Sequence, residues 1–441
     1  MKQIIILCLS LLFFLSCGKG SYPIGEYKKI IDLSLSPDGN TFFLYYTGKD
    51  NRLYYIINGK QTGPLDSVLF YGCTPSGLFY TVCRNGDKFF FDYNGKIKEI
   101  SAERVVSVDF PPSGDNYLIR AISGTKQSLM SADTVIGPFD SLQESSFSKN
   151  GKHTGVVIIT SGVYQVLIDG QMHGEYSYAE GIKFSDNGAV WGYSFALAAN
   201  SAVLVNDRII DEVSHPSGPY ISPDGKAVYY ASYGEKKIDI LSNKIRVMEI
   251  PAGNNTLLID LYVAGDGSIA GYTLGNPEYF TTMIGGKTYG PFDKWYGKFA
   301  MPPDAKDYVF YYENNELGYI NLAGKIYGPY AAEGYGKIEF SPDGGNFFAP
   351  YFGDNATQWI ASADRDYGPF PIIEKFHPSP DYSNCIVVYT DMTSHMIYFD
   401  GKDIISNDNI CDAVILTNGN IRYAIIEDNS VIIKDWMTAD N

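Results

Sequence analysis

The feature that most constrains this sequence is a four-residue turn that recurs along almost the whole chain. Its strongest copies read Ser-Pro-Asp-Gly and begin at Ser36, Ser222 and Ser341. Weaker copies begin at Thr74, Pro111, Ser148, Ser185, Ala264, Pro302, Ser379 and Leu416, so that eleven turns follow one another at spacings of 37 to 42 residues. A constant period of this length indicates an array of repeated supersecondary units.

Two further anchors keep the same period. A polar turn such as Asn58-Gly59-Lys60 comes next, and a Gly-Pro pair follows it, as in the Gly-Pro-Phe-Asp segments at 137–140 and 290–293. In the first turn, Pro presets φ, Asp can bond its own backbone and Gly adopts positive φ cheaply. The turn therefore predicts a tight reversal between two strands.

The segments between the anchors read as short strands. Unbroken apolar runs such as 42–46 and 309–312 indicate strands buried on both faces, and the run 53–57 leads to the polar turn. The Gly-Pro segment is expected to form a fourth, edge strand, where a proline costs no ladder bond. Four short strands in about 40 residues make one propeller blade. The predicted fold class is all-β, a β-propeller repeat array.

These Ser-Pro-Asp-Gly units with their aromatic strands resemble the WD-repeat-like β-propeller repeats of TolB-type envelope proteins. The segment 317–321 with Gly324-Lys325 is also similar to bacterial tryptophan-glycine repeats, although the Trp is missing. The Gly-Pro-Phe-Asp element departs from the TolB-type pattern. Either resemblance implies an all-β array across residues 22–441 and implies no enzymatic activity.

Eleven units exceed the four to eight blades of most propellers. The long spacing between Ser222 and Ala264 predicts a seam, with repeats 1–6 in residues 22–245 and repeats 7–11 in 246–441 as two propellers. The alternative is one large ring. The chain begins with a piece like a fourth strand at 22–27 and ends after a piece like a third strand at 430–434, so the two ends are expected to complete one blade.

The N-terminus reads as an export signal. Lys2 precedes an apolar run from Ile4 to Leu15, and Ser16 and Cys17 end it. This arrangement resembles a lipoprotein signal, which implies a signal peptide at 1–16, lipidation of Cys17 and a tether at 17–21. The protein is then expected in the bacterial cell envelope, held to a membrane by lipid. The alternatives are an ordinary secretory signal cut near Ser16 and an uncleaved anchor.

Charge and cysteine usage limit the partners and cofactors. The formal net charge is −16, and an acidic surface disfavours nucleic acid. Beyond Cys8 and Cys17, the body holds four cysteines, which can form disulfides within neighbouring repeats or remain buried thiols: Cys73, Cys83, Cys385 and Cys411. No zinc-ligand spacing is present, and no metal or other cofactor is predicted.

No catalytic motif is visible in the sequence. GxSxG, HExxH and the phosphate-loop pattern are missing, and the recurring aspartates are explained by turns. Asp364 and Asp366 beside Arg365 read as a polar turn. The five histidines show no metal-ligand spacing and are expected to be surface or core residues: His153, His173, His215, His377 and His395.

The abundant aromatic residues have two interpretations. The first is packing between blades. The second is a binding face on the propeller, for which the candidates are Tyr178, Trp191, Trp295, Tyr296, Tyr335 and Trp359.

The leading hypothesis for function is a non-catalytic scaffold lipoprotein that binds an envelope protein. The alternative is a hydrolase or lyase acting on polysaccharide or peptide. It predicts polar residues, one per blade, converging at one channel mouth.

Overall fold

The strands of this chain assemble into a β-propeller. In the computed structural model, the described residues are 21–437 except 115, 198–199, 214–215, 254, 302–307, 332–337, 343, 354–356 and 408. Their strands form eleven four-stranded sheets, each with the strand order of one propeller blade, which confirms the predicted all-β array of eleven propeller repeats. The predicted signal at 1–16 and Cys17 lie outside the described residues.

Blades 1 to 6 contain the following strands after β1 (Ser21–Pro23): β2 (Tyr27–Leu35), β3 (Phe42–Gly48), β4 (Leu53–Ile57) and β5 (Lys60–Leu65) in blade 1; β6 (Ser67–Cys73), β7 (Phe79–Asn85), β8 (Lys88–Tyr93) and β9 (Lys96–Ile100) in blade 2; β10 (Arg104–Asp109), β11 (Leu118–Ser123), β12 (Lys126–Met130) and β13 (Val135–Phe139) in blade 3; β14 (Ser141–Phe147), β15 (Thr154–Thr160), β16 (Val163–Ile168) and β17 (Gln171–Tyr176) in blade 4; β18 (Tyr178–Phe184), β19 (Trp191–Leu197), β20 (Asn200–Val205) and β21 (Arg208–Glu212) in blade 5; β22 (Pro216–Ile221), β23 (Val228–Tyr233), β24 (Lys237–Ser242) and β25 (Ile245–Pro251) in blade 6.

Blades 7 to 11 contain the remaining strands: β26 (Leu257–Val263), β27 (Ile269–Gly275), β28 (Phe280–Ile284) and β29 (Lys287–Phe292) in blade 7; β30 (Lys294–Ala300), β31 (Val309–Asn314), β32 (Leu317–Leu322) and β33 (Lys325–Ala331) in blade 8; β34 (Glu339–Phe340), β35 (Phe347–Phe352), β36 (Gln358–Ser362) and β37 (Asp366–Phe370) in blade 9; β38 (Ile372–Pro378), β39 (Cys385–Thr390), β40 (His395–Phe399) and β41 (Lys402–Asn407) in blade 10; β42 (Ile410–Ile415), β43 (Ile421–Glu427) and β44 (Ser430–Trp436) in blade 11.

Internal contacts divide the chain into two compact units. Unit 1 comprises Met1–Cys73, Gly77–Glu99 and Phe352–Asn441, and its complete blades are 1, 10 and 11. Unit 2 comprises Thr74–Ser76 and Ile100–Tyr351, and its complete blades are 3 to 8. In both units the first strands of consecutive blades contact each other, as the innermost strands of a propeller do.

The two ends of the chain complete one blade of unit 1. Strand β1 pairs antiparallel with β44, with Tyr22 opposite Val431, and so becomes the fourth strand of blade 11. Blade 11 is therefore completed by backbone hydrogen bonds between the first and last described strands. This confirms the sequence-based expectation for 22–27 and 430–434.

The recurring turn is held by its serine as well as by its aspartate. Ser36 Oγ donates to Asp38 Oδ1 at 2.5 Å and accepts from the Thr41 N–H at 3.0 Å. The Gly39 N–H donates to the Ser36 carbonyl at 2.7 Å, and the φ of Gly39 is 67°. Ser36 is fully buried, and its hydroxyl takes the place of water as the hydrogen-bond acceptor for the Thr41 N–H, just before β3 begins.

The core lies between neighbouring blades. Strand β3 is buried on both faces, as its apolar run predicts. Tyr262, Ile284 and Phe292 of blade 7 pack against Phe310 and Tyr312 of blade 8 in one hydrophobic cluster. Burying such aromatic side chains stabilises the contact by about 2 kcal/mol each.

Candidate functional site

One position of the repeat places side chains on the first strand of each blade. It lies four residues before the first residue of the turn, and we call it the pre-turn position. Five of the described pre-turn side chains are charged: Asp32, Glu144, Asp260, Lys375 and Asp412. A shift in strand register immediately precedes each of them. Such bulges redirect the following side chain, and they are frequent beside functional sites.

In unit 1, three pre-turn residues from consecutive blades form one network of opposite charges, in which Lys375 bonds Asp32 and the charge of Asp412 acts on Lys375. Lys375 Nζ of blade 10 donates to Asp32 Oδ1 of blade 1 at 2.8 Å and to Ser34 Oγ at 2.9 Å, and it also bonds the Leu33 carbonyl. The three N–H donors of the Lys375 ammonium are therefore all bonded inside the protein. The third member of the network, Asp412 of blade 11, is fully buried.

Asp412 joins the same network to the backbone. Its Oδ2 accepts from the Leu35 N–H at 2.7 Å, and its Oδ1 lies 3.0 Å from His377 Nε2. Burial alone would raise the pKa of Asp412, but the nearby His377 and Lys375 outweigh it and hold the pKa below its usual value. Burial would lower the pKa of Lys375, and the charges of Asp412 and Asp32 raise it above its usual value. Both groups are thus stabilised in their charged forms.

In unit 2, Glu144 uses the pre-turn position in a similar way. Its carboxylate accepts from the Gly181 N–H at 2.7 Å and the Ile182 N–H at 3.0 Å, both on the first strand of the next blade. Burial raises the pKa of Glu144, and these two donors oppose the shift only in part. Glu144 therefore ties blade 4 to the backbone of blade 5.

Asp260 differs from the other pre-turn carboxylates because it faces a cavity. This cavity, of about 400 Å³, lies at the turn-side ends of the first strands in unit 2. Blades 5 to 9 all contribute to its lining, which comprises Lys183, Phe184, Asp186, Tyr220, Ile221, Pro223, Asp260, Leu261, Tyr262, Val263, Phe299, Ala300, Met301 and Pro342. The charged residues of this lining come from blades 5 and 7.

Among the described residues, the two opposite charges that line this cavity, Asp260 and Lys183, form no ion pair. Asp260 Oδ1 accepts from the adjacent Leu261 N–H at 2.9 Å, and among the described residues no other side chain or backbone donor bonds its carboxylate. Lys183 forms no ion pair with any described residue. Burial raises the pKa of Asp260, although Lys183 is near enough to oppose the shift. The third charged residue, Asp186, is paired with Lys149 at 3.0 Å.

A second open region lies where blade 6 passes to blade 7. It is a groove of about 870 Å³, and a smaller cavity of about 210 Å³ shares Ala252, Gly253 and Thr256 with it. The link that follows β25 lines both, and the Leu258 N–H donates to Tyr233 Oη at 3.1 Å across the groove. The long spacing that predicts a seam between two propellers therefore corresponds to the wall of a groove inside unit 2.

The aromatic residues singled out in the sequence do not form one common face. Tyr178 and Trp191 lie in blade 5; Tyr178 packs on Tyr164, and Trp191 packs on His173 and Tyr193. Trp295 and Tyr296 lie in blade 8, where Trp295 contacts Phe292 and Phe310. Trp359 is in blade 9 and donates to Thr357 Oγ1 at 3.1 Å. Tyr335 lies outside the described residues.

The described histidines and the acidic turn at 364–366 are engaged locally. Each of four histidines lies beside a carboxylate, namely His153 by Asp169, His173 by Asp207, His377 by Asp412 and His395 by Glu374. His215 lies outside the described residues. Arg365 pairs with Asp400 at 3.3 Å and covers the Tyr367 ring, so Asp364 and Asp366 flank a structural arginine.

The four cysteines of the body are free thiols, which is one of the two states that the sequence allows. Burial raises the pKa of the Cys83 thiol to about 12. Among the described residues, no group of three or more His, Cys, Asp or Glu side chains is arranged to hold a metal ion. The described part of the chain also contains no helix with the length and apolar character needed to span a membrane.

The comparisons with known proteins identify neither a family nor a function. No protein-family model and no curated protein matches the sequence. Three solved structures are similar in fold: a eukaryotic initiation factor (11% identity, 85% of this chain, 96% of that chain, TM-score 0.44), the Dos1 propeller (10%, 70%, 95%, 0.36) and the β-propeller domain of the Trilobed protease from Pyrococcus furiosus (15%, 60%, 96%, 0.34). The class of the protein rests on its own strand order: the chain is a β-propeller protein.

Proposed function

We propose that this chain is a lipid-anchored scaffold of the bacterial cell envelope that binds a protein partner through the groove between blades 6 and 7. The anchor is the predicted lipid on Cys17, and the resemblance of the repeats to TolB-type propellers supports the envelope location. No catalytic step is assigned to the protein.

The observation that carries the proposal is the character of this groove. Leu257 is 56% exposed and Ile259 is 42% exposed at its wall, and Tyr279, which is 42% exposed, lines the adjoining cavity. Apolar side chains grouped at an open groove are typical of protein-binding surfaces. The charged residues that line the groove are Glu180 and Glu235, so the expected partner presents an apolar segment that carries Lys or Arg.

Site-specific cross-linking in cells tests the partner. A photo-reactive amino acid at position 257 is expected to capture one defined envelope protein. The same probe at Ile97, which is 47% exposed in blade 2, is the matched control and is expected to capture none. Glu235→Lys is expected to weaken the capture because it repels a basic segment. Equal capture from both positions contradicts the proposal, as does hydrolysis of a glycan or peptide by the purified protein without any captured partner.

The lipid anchor is tested separately. Metabolic labelling with a palmitate analogue is expected to label the wild-type chain and to leave Cys17→Ala unlabelled in the soluble fraction. Cys8→Ala is the control, because Cys8 lies inside the predicted signal and keeps the lipidation residue. An unlabelled wild-type chain would favour the ordinary secretory signal.

A further inference from the structure

We infer that the cavity around Asp260 and Lys183 is a binding site for a small zwitterion, namely an amino acid with an apolar side chain. The ammonium of the ligand would lie against Asp260 and its carboxylate against Lys183. This site is distinct from the groove of the proposed function, and it does not depend on a protein partner.

Asp260 differs from the other pre-turn acids in its hydrogen-bond partners. Asp32 is paired with Lys375, Glu144 with two backbone donors and Asp412 with a backbone donor and His377. Asp260 follows the same kind of bulge, yet among the described residues its carboxylate is bonded only by the N–H of its own neighbour Leu261. A desolvated carboxylate that lacks a partner costs free energy, and a bound ammonium would supply that partner.

Two opposite charges also line the cavity, and neither forms an ion pair with a described residue. Lys183 is exposed, and it is near enough to Asp260 to oppose the rise of that carboxyl's pKa. Lys183 of blade 5 and Asp260 of blade 7 both line it, and the two blades are separated by blade 6. Asp186 is already neutralised by Lys149. A ligand that carries one positive and one negative group would satisfy both free charges, whereas a simple cation or anion would satisfy one.

The size and the lining of the cavity also fit such a ligand. A volume of about 400 Å³ lies in the usual range for small-molecule sites. Phe184, Phe299 and Met301 are partly buried at its wall, and Tyr262 stacks on Phe299 with ring centroids 4.0 Å apart. This wall is apolar and pre-formed, so it suits an aliphatic or aromatic side chain more than a sugar with hydroxyls on every face.

Isothermal calorimetry with the purified full-length chain tests the inference. The probes are L-leucine, L-methionine and L-phenylalanine. Two analogues of leucine are compared with them: isoamylamine, which lacks the carboxylate, and 4-methylpentanoate, which lacks the ammonium. At least one amino acid is expected to bind. Each analogue is expected to bind about tenfold or more weakly than leucine, because it loses one charge-assisted hydrogen bond.

Two variants assign the charges. Asp260→Asn is expected to weaken leucine binding about tenfold or more and to leave the binding of 4-methylpentanoate unchanged. Lys183→Met is expected to weaken leucine binding by a similar factor and to leave the binding of isoamylamine unchanged. Asp133→Asn and Lys96→Met, both exposed and away from the cavity, are the matched controls. Thermal unfolding of each variant establishes that it is folded.

Three results would overturn the inference. The first is no binding heat from any of the three amino acids at millimolar concentration. The second is unchanged affinity in both Asp260→Asn and Lys183→Met. The third is an amine that binds as tightly as leucine, which would leave a site for cations alone.

Discussion

In unit 1 the pre-turn residues Lys375, Asp412 and Asp32 are each hydrogen-bonded within the protein, whereas in unit 2 the pre-turn residue Asp260 opens onto a cavity. The backbone device is the same in both places, a bulge that turns the side chain out of the strand. The outcome differs because, among the described residues, a neighbouring blade supplies a partner in the first case only.

This difference separates structural charge from functional charge in a repeat protein. A buried ion that is fully bonded mainly fixes the relative position of its blades, and removing one member leaves the others unpaired. A carboxylate without a partner contributes no such contact. The same repeat position can thus hold a residue that links neighbouring blades in one part of the chain and a ligand-binding residue in another.

The largest expected effect comes from breaking the network of opposite charges in unit 1. Lys375→Met leaves Asp32 and Asp412 without their shared cation, and it should lower the free energy of unfolding by about 3 kcal/mol. Denaturant unfolding followed by fluorescence measures this change. Lys434→Met is the control, because Lys434 pairs at 3.6 Å on the surface and should cost less than about 1 kcal/mol. A loss no larger than that of the control would show that the network is not structural.

The second effect is a dependence on acid. Because the pKa of Asp412 is lowered in the folded state, its contribution is complete above the unfolded pKa and is lost as the pH falls through the folded value. Asp412→Asn should therefore cost about 2 kcal/mol at pH 7, and this cost should shrink as the pH falls below the unfolded pKa of about 3.9. Unfolding midpoints of both proteins across this range measure the difference. A cost that is independent of pH would contradict the assigned charge state.

A smaller loss is expected at the pre-turn position of blade 4. Glu144→Gln keeps the shape of the side chain but turns one acceptor into a donor, so one of the N–H groups of Gly181 and Ile182 loses its partner. The cost should be about 1 to 2 kcal/mol. The same denaturant experiment measures it, and an increase in stability would show that Glu144 does not tie the two blades.

The smallest effect, with the opposite sign, is expected at Asp260. Its pKa is raised in the folded state, so the wild-type protein loses stability as the pH rises from the unfolded pKa through the folded one. Asp260→Asn removes this loss and should stabilise the protein at pH 7 by at most about 1 kcal/mol. Thermal melts at pH 4 and pH 7 check the sign. Clear destabilisation at pH 7 would mean that Asp260 is a structural residue like Asp412.

The blades could be predicted from the sequence because their signals are local. Ser36, Asp38 and Gly39 lie within four residues and build the turn by themselves. The closure of the last blade by residues 22–27 also followed from counting strands at the two ends. The effect of the long spacing could not be predicted from the sequence, since the extra residues near 251–257 widen the link between two blades and line a groove.

The candidate site could not be predicted from the sequence for a different reason. The pre-turn position holds Asp, Phe, Ser, Glu, Gly or Lys in different repeats, so it has no recognisable motif. Its role depends on contacts across the chain, as between Leu35 and Asp412, which are separated by 377 positions. Whether Asp260 is open or bonded depends on the next blade, and this appears only when the blades are assembled.

Chemical access to the carboxylates tests the difference between the two regions most directly. The folded protein is treated at about pH 5 with a carbodiimide and a small amine, and the modified aspartates are identified by peptide mass mapping. Asp260 is expected to be modified, while Asp412 is expected to react only after unfolding. Equal modification of Asp260 and Asp412 in the folded protein, or protection of both, would contradict the account.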